Sequence, residues 1–149
     1  MKALSIRQPW VWCILNAGKR VENRTWATSY RGFVLIHAAK TCTYREYVDF
    51  CNSVWGAAPY AESVILAAKS HKGVPEFEDL SRGGFVARAK LVGCVHERDK
   101  HLLCAKDKPW FFGPYGFILD GVEPIPFVQY KGKLGLFEVP DDLIERVKR

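Results

Sequence analysis

The chain has 149 residues, 48% of them hydrophobic and 26% charged, and 22 Lys and Arg against 16 Asp and Glu give a formal net charge of +6. A chain of this length suits one domain that buries roughly 68–70% of its unfolded surface, and the composition excludes both a disordered chain and, with no apolar run of sufficient length, a membrane-spanning helix. The basic excess favours a polyanionic partner, because cations placed near phosphates release condensed counterions.

A short strand is predicted over Ala3 to Ile6. Pro9 then suits the first turn of a helix running to about Asn16, since the N–H it lacks would be unsatisfied there anyway. That helix, PWVWCILN, is apolar nearly all round and is expected to be buried. Gly18 is placed to stop it. A strand follows from Val21 to Trp26, then a turn at Tyr30-Arg31-Gly32. Phe33 to Ala39 is a near-continuous apolar run that reads as a central strand. Thr43 is positioned to cap a helix from Tyr44 to about Val54.

Residues 56–84 are the least regular part, with a second helix expected over Ser63 to Ser70 and loop from Gly73 to Gly84. Phe85 to Val95 reads as a long strand. Tyr115 to Leu119 and Val122 to Val128 read as a hairpin turned at Asp120-Gly121. Pro124 and Pro126 place its second arm at an edge. Leu134 to Val139 is a last strand, and Pro140-Asp141 opens a terminal helix. Strands that follow one another without regular helical crossovers favour an α+β fold, a mixed and partly closed β-barrel with helices packed at one side.

Chemistry concentrates in Ser5-Ile6-Arg7-Gln8-Pro9-Trp10 and in Gly18-Lys19-Arg20-Val21-Glu22-Asn23-Arg24-Thr25-Trp26. Glu22 and Arg24 are two apart on a strand and share a face, which Trp26 continues, while Val21 and Asn23 point the other way. Lys19 sits on the preceding turn, where its ammonium can meet the Glu22 carboxylate. Arg24 keeps a planar fork for phosphate or base edges. The same spacing also fits an ordinary solvated strand face with ion pairs.

These segments, followed by RGFVLIHAAK, resemble the ASCH domain family (activating signal cointegrator homology), whose signature is Gly-x-Lys-x-x-Glu-x-Arg. Lys19, Glu22 and Arg24 match its charged positions; Ala17 stands where the signature has Gly, and Gly18 follows one residue later. The resemblance is strongest over residues 3–40 and looser over the strand containing Gly93 and the stretch PFVQYKGKLGLFEVP. Residues 55–84 find no counterpart and read as an insertion into a single domain, 1–149. The resemblance implies a PUA-like barrel with helices at one side, which binds nucleic acid in a cleft between the first helix and the barrel. Some relatives cleave RNA, and some small ones hydrolyse an acyl amide on cytidine using the lysine, with Thr at the position where this chain has Glu22.

Around that cleft, Arg7, Gln8 and Trp10 are further candidates: Gln8 for a base edge or merely a helix cap, Trp10 for stacking or for the core. Arg31 and Lys40 read as rim charges. His37 sits in an apolar strand, as a satisfied core residue or, if its face lines the cleft, as an acid or base. The five cysteines, Cys13, Cys42, Cys51, Cys94 and Cys104, are odd in number and irregularly spaced, which predicts reduced thiols and no disulfide framework. Cys94, His96, His101 and Cys104 lack the ligand spacing of a zinc knuckle, so no metal is expected, nor any cofactor. Lys69 to Lys72, KSHK, is a small basic patch, and Trp110 to Tyr115 a dense aromatic turn that closes either the core or the cleft. MKALSIRQPW lacks the apolar stretch of a signal peptide, and the expected location is the cytoplasm.

The leading expectation is RNA, or another single-stranded nucleic acid or nucleoside, held by Lys19, Glu22, Arg24, Arg7, Gln8, Trp10, Trp26, Arg31 and Lys40. The alternative is a hydrolase in the same cleft, a ribonuclease or a nucleoside amidohydrolase, with Lys19, Glu22 and His37 as its catalytic groups. A third reading is an adaptor with a protein partner.

Overall fold

A computed structural model describes residues 1–70 and 73–147; His71 and Lys72 of the KSHK patch lie outside them. Six strands form one sheet in the order β2-β5-β4-β3-β1-β6. The strands are β1 (Lys2–Ile6), β2 (Val21–Arg24), β3 (Gly32–Ala38), β4 (Gly84–His96), β5 (Tyr115–Gln129) and β6 (Leu136–Glu138). The helices are α1 (Trp10–Asn16), α2 (Tyr44–Trp55), α3 (Ala61–Ser70) and α4 (Asp141–Val147). Only β1 and β3 run parallel, with Ser5 beside His37, and the other pairs are antiparallel.

The sheet curls into a half-barrel. Arg24, at the end of β2, donates to the Ser5 carbonyl on β1, which lies four places away in the strand order. A flat sheet would hold those strands some 19 Å apart at about 4.8 Å per neighbour. Leu4, Ile6, Val34, Ile36, Ala87, Leu91, Phe117 and Leu119 fill the concave interior, closed by Val11 and Ile14 of α1. The opposite face of the same strands (Ala3, Leu35, Phe85, Phe137) is covered by Leu143, Ile144 and Val147 of α4. Burial on both faces explains why β3 reads as a continuous apolar run rather than an alternating one. A third cluster joins Trp12 and Cys13 of α1 to Phe50, Val54 and Val64 of α2 and α3, with Trp110 and Phe111 beneath.

Local signals act as the sequence predicts at several points. Thr43 accepts from the Glu46 backbone N–H at 3.1 Å and the Glu46 carboxylate accepts from the Thr43 N–H at 2.7 Å, a complete capping box for α2. Gly18 takes φ +70° after α1, a conformation that suits glycine. The expected hairpin at Asp120-Gly121 is not formed: β5 runs unbroken from Tyr115 to Gln129 alongside β4. Lys90 pairs with Asp120 and Arg88 with Glu123, so β5 carries one extra residue there. Asp-Gly therefore makes a bulge, with Gly121 at φ +56°, which bends the long strand. Pro124 and Pro126 do sit on a free edge, since β2 covers only Tyr115 to Ile118 of β5. No helix among the described residues is long and apolar enough to cross a membrane.

Candidate nucleic-acid interface

The C-terminal ends of β1 and β3, the start of β4 and the end of β5 open into a cleft of about 1380 Å³. Glu22 lies at its base between two cations. Its Oε2 is 2.9 Å from the Lys19 ammonium and its Oε1 3.3 Å from the Arg24 guanidinium. Strand alternation achieves this: Val21 turns into the core, while Glu22 and Arg24 face the cleft. Asn23 also borders the cleft, but its side-chain amide bridges a neighbouring loop, donating to the Trp110 carbonyl at 2.9 Å and accepting from the Phe112 N–H at 2.8 Å.

The three charged residues do not share the cleft equally. Lys19 is only 2% exposed and does not line the cleft. Its ammonium donates to Glu22 and to the Val21 carbonyl, and lies 6.0 Å from the centre of the Trp10 ring. The turn after α1 folds it inward, so Lys19 acts on the cleft through Glu22. Two cations against one carboxylate leave a net positive charge at the base. Arg24 is held by Glu22 and by the Ser5 carbonyl, while its buried Nε has no partner.

Arg7, Trp10, His37 and Lys40 also line the cleft. Arg7 pairs with Glu46 at the start of α2. Trp10 lines the cleft while its ring packs edge-on against Phe50 and Tyr60, with centroids at 5.4 and 5.8 Å. His37 is buried yet hydrogen-bonded at both nitrogens. Nε2 is 2.8 Å from the Tyr130 carbonyl, which can only accept, so Nε2 carries the proton. Nδ1 then accepts from the Ser5 hydroxyl at 3.1 Å. Burial holds the His37 pKa below its ordinary value, favouring the neutral ring.

Three expected residues lie elsewhere. Gln8 is buried; its Oε1 accepts from the Trp12 N–H and its Nε2 donates to the Ser81 carbonyl, so it caps α1 and ties it to the loop before β4. Trp26 falls beyond the end of β2 and packs edge-on against Phe117 at 4.9 Å. Arg31 donates to the carbonyls of Thr28 and Tyr30 at its own turn. The aromatic turn closes the core: Trp110 is buried and stacked on Tyr60 at 4.8 Å.

Other lining residues were not foreseen. Ser5, Arg82, Phe127 and the loop Lys131-Gly132-Lys133 complete the cleft. Their common property is position at one end of the sheet, and no local pattern marks it. The five cysteines are all free thiols. Among the described residues no group of three or more His, Cys, Asp or Glu side chains could hold a metal ion.

A scan against protein-family models matches the ASCH domain over residues 4–127. The chain belongs to the ASCH domain family. The curled sheet with helices beside it agrees with the PUA-like fold of ASCH domains. A search of curated proteins finds no match to this ASCH chain.

Proposed function

We propose that this ASCH domain binds RNA as a single strand, holding it in the cleft over Glu22 and Arg24. The observation that carries the reading is the composition of the lining: six cations, Arg7, Arg24, Lys40, Arg82, Lys131 and Lys133, against the single carboxylate of Glu22. The concave, low-dielectric wall focuses that field, and exposed aromatic surface on Trp10 and Phe127 offers stacking to any base. Arg24 supplies donors and Glu22 acceptor oxygens at the base, a pairing suited to a base edge. Lys19 holds the carboxylate in place from behind. In the same reading the chain is one domain, and residues 55–84 are an insertion that contributes α3 and Arg82.

Fluorescence anisotropy with a labelled single-stranded RNA tests this. Arg24→Ala should cost about 1–3 kcal/mol of binding, and log affinity should fall linearly with log salt. Salt-independent binding, or unchanged affinity in Arg24→Ala, would refute the assignment.

A second reading, hydrolysis in the same cleft, rests on the Ser5–His37 pair. A neutral His37 with its Nδ1 lone pair on the Ser5 hydroxyl is in the state a proton acceptor requires. Incubation with labelled RNA and with acylated cytidine, comparing wild type with His37→Gln and Lys19→Ala, decides it. Product that forms with wild type and disappears with either variant would establish turnover.

A further inference from the structure

The loop that links β5 to β6 carries a second group of charges whose placement is unlike that of a solvated run. Lys131 and Lys133 flank Gly132, and all three line the cleft. Gly132 is pressed onto the cleft base: a Cβ there would lie 2.5 Å from His37 Cε1 and 2.6 Å from Ser5 Oγ. The loop is also tied at its root. The Tyr130 carbonyl accepts from His37, its N–H donates to the Gly83 carbonyl at 3.1 Å, and its ring stacks on Phe85 at 4.9 Å. The two lysines are thus mounted on a fixed support.

Lys40 and Arg82 join them in the lining. Among the described residues none of these four cations meets a carboxylate within 4.0 Å, whereas Arg7 and Arg24 do; Arg82 instead rests its guanidinium over the Phe77 ring, 4.3 Å from its centre. Apolar groups stand beside them, with Phe127 half exposed and Leu134 98% exposed. The cleft, at about 1380 Å³, also exceeds the roughly 300–1,000 Å³ typical of small-molecule sites.

Resting on the RNA-binding reading, we infer that Lys40, Arg82, Lys131 and Lys133 form a backbone-binding wall. It makes the ligand a single strand several nucleotides long rather than a nucleoside or mononucleotide. Cations without a carboxylate partner select phosphates, and four of them cannot be satisfied by one. Exposed Phe127 and Leu134 give splayed bases an apolar rest. Gly132 and His37 are positioning residues: they hold the lysines and need not touch the ligand.

The test is a length series of labelled oligouridylates, from mononucleotide through tetramer to octamer, bound to the full chain and titrated with salt. If all four cations engage, the log–log salt slope for the octamer is about −2.8, and the octamer binds at least about tenfold more tightly than the mononucleotide. Lys131→Ala/Lys133→Ala, both at exposed positions, should bring the slope to about −1.4. Gly132→Ala keeps every charge; it should weaken octamer binding while its thermal unfolding is checked alongside. Equal affinity for mononucleotide and octamer, or an unchanged slope in the double lysine variant, overturns the wall while leaving the Arg24 site standing. Failure of every length to bind wild type removes the RNA reading itself.

Discussion

Replacing Lys19 with Met removes one member of the buried ion group behind the cleft and keeps most of the side chain's volume. Lys19 is 2% exposed, and the Glu22 side chain it faces at 2.9 Å is 11% exposed. Breaking a buried pair by deleting one partner costs about 3–5 kcal/mol, because the remaining charge is left uncompensated. Arg24 still stands 3.3 Å from the other carboxylate oxygen, which places the expected loss near the low end, about 3 kcal/mol. For a chain of this size that lowers Tm by about 10 °C. Urea unfolding followed by circular dichroism measures it, with the m-value expected to stay constant. Lys19→Met/Glu22→Gln should recover part of the loss, since no ionised carboxylate then lacks its ammonium. A single-variant cost below about 1 kcal/mol, or a double variant whose cost is the simple sum of the two singles, would show that the pair is not coupled and refute the reasoning.

Gly116→Ala should destabilise by about 1–3 kcal/mol through overpacking, because a Cβ there would meet the Phe111 ring at 2.5 Å and Val21 Cγ1 at 2.8 Å; chemical denaturation reads it directly. Thr43→Ala should cost about 1 kcal/mol by removing the cap of α2, measured the same way. The Thr43 N–H holds the Glu46 carboxyl below its usual value against the opposing effect of burial, with the Thr43 hydroxyl and Arg7 assisting. Its contribution is therefore complete above the unfolded pKa of about 4.3 and is lost as pH falls through the lower folded value, so Glu46→Gln should flatten the acid limb of a stability–pH curve. His37 also has a folded pKa below its unfolded one, through burial. The stability linked to it is complete above about pH 6.5 and lost as pH falls toward the folded value, and His37→Gln should abolish that dependence while leaving the rest of the curve in place.

The parts of this protein legible in its sequence are those set by neighbours along the chain. The Thr43–Glu46 box depends on a three-residue spacing, and the start of α2 follows from it. Alternation over Val21 to Arg24 fixes which side chains turn inward, so the shared face of Glu22 and Arg24 could be read in advance. The apolar run of β3 announces a strand covered on both sides. Asp120-Gly121 shows where that logic stops. The dipeptide demands a bend, but whether the bend becomes a turn or a bulge depends on β4 being long enough to pair with both halves of β5.

The sequence by itself determined the strands other than β5, the caps, the inward alternation and the ASCH signature Lys19, Glu22 and Arg24. Only the tertiary structure decided that Lys19 lies behind the cleft and that Gln8, Trp26 and Arg31 are used elsewhere. It alone brought Ser5, Arg82 and Lys131 to Lys133 to the same hollow. The physical reason is the curl of the sheet. It brings together strand ends far apart in sequence, and the depth at which each side chain comes to rest follows from that closure rather than from local spacing.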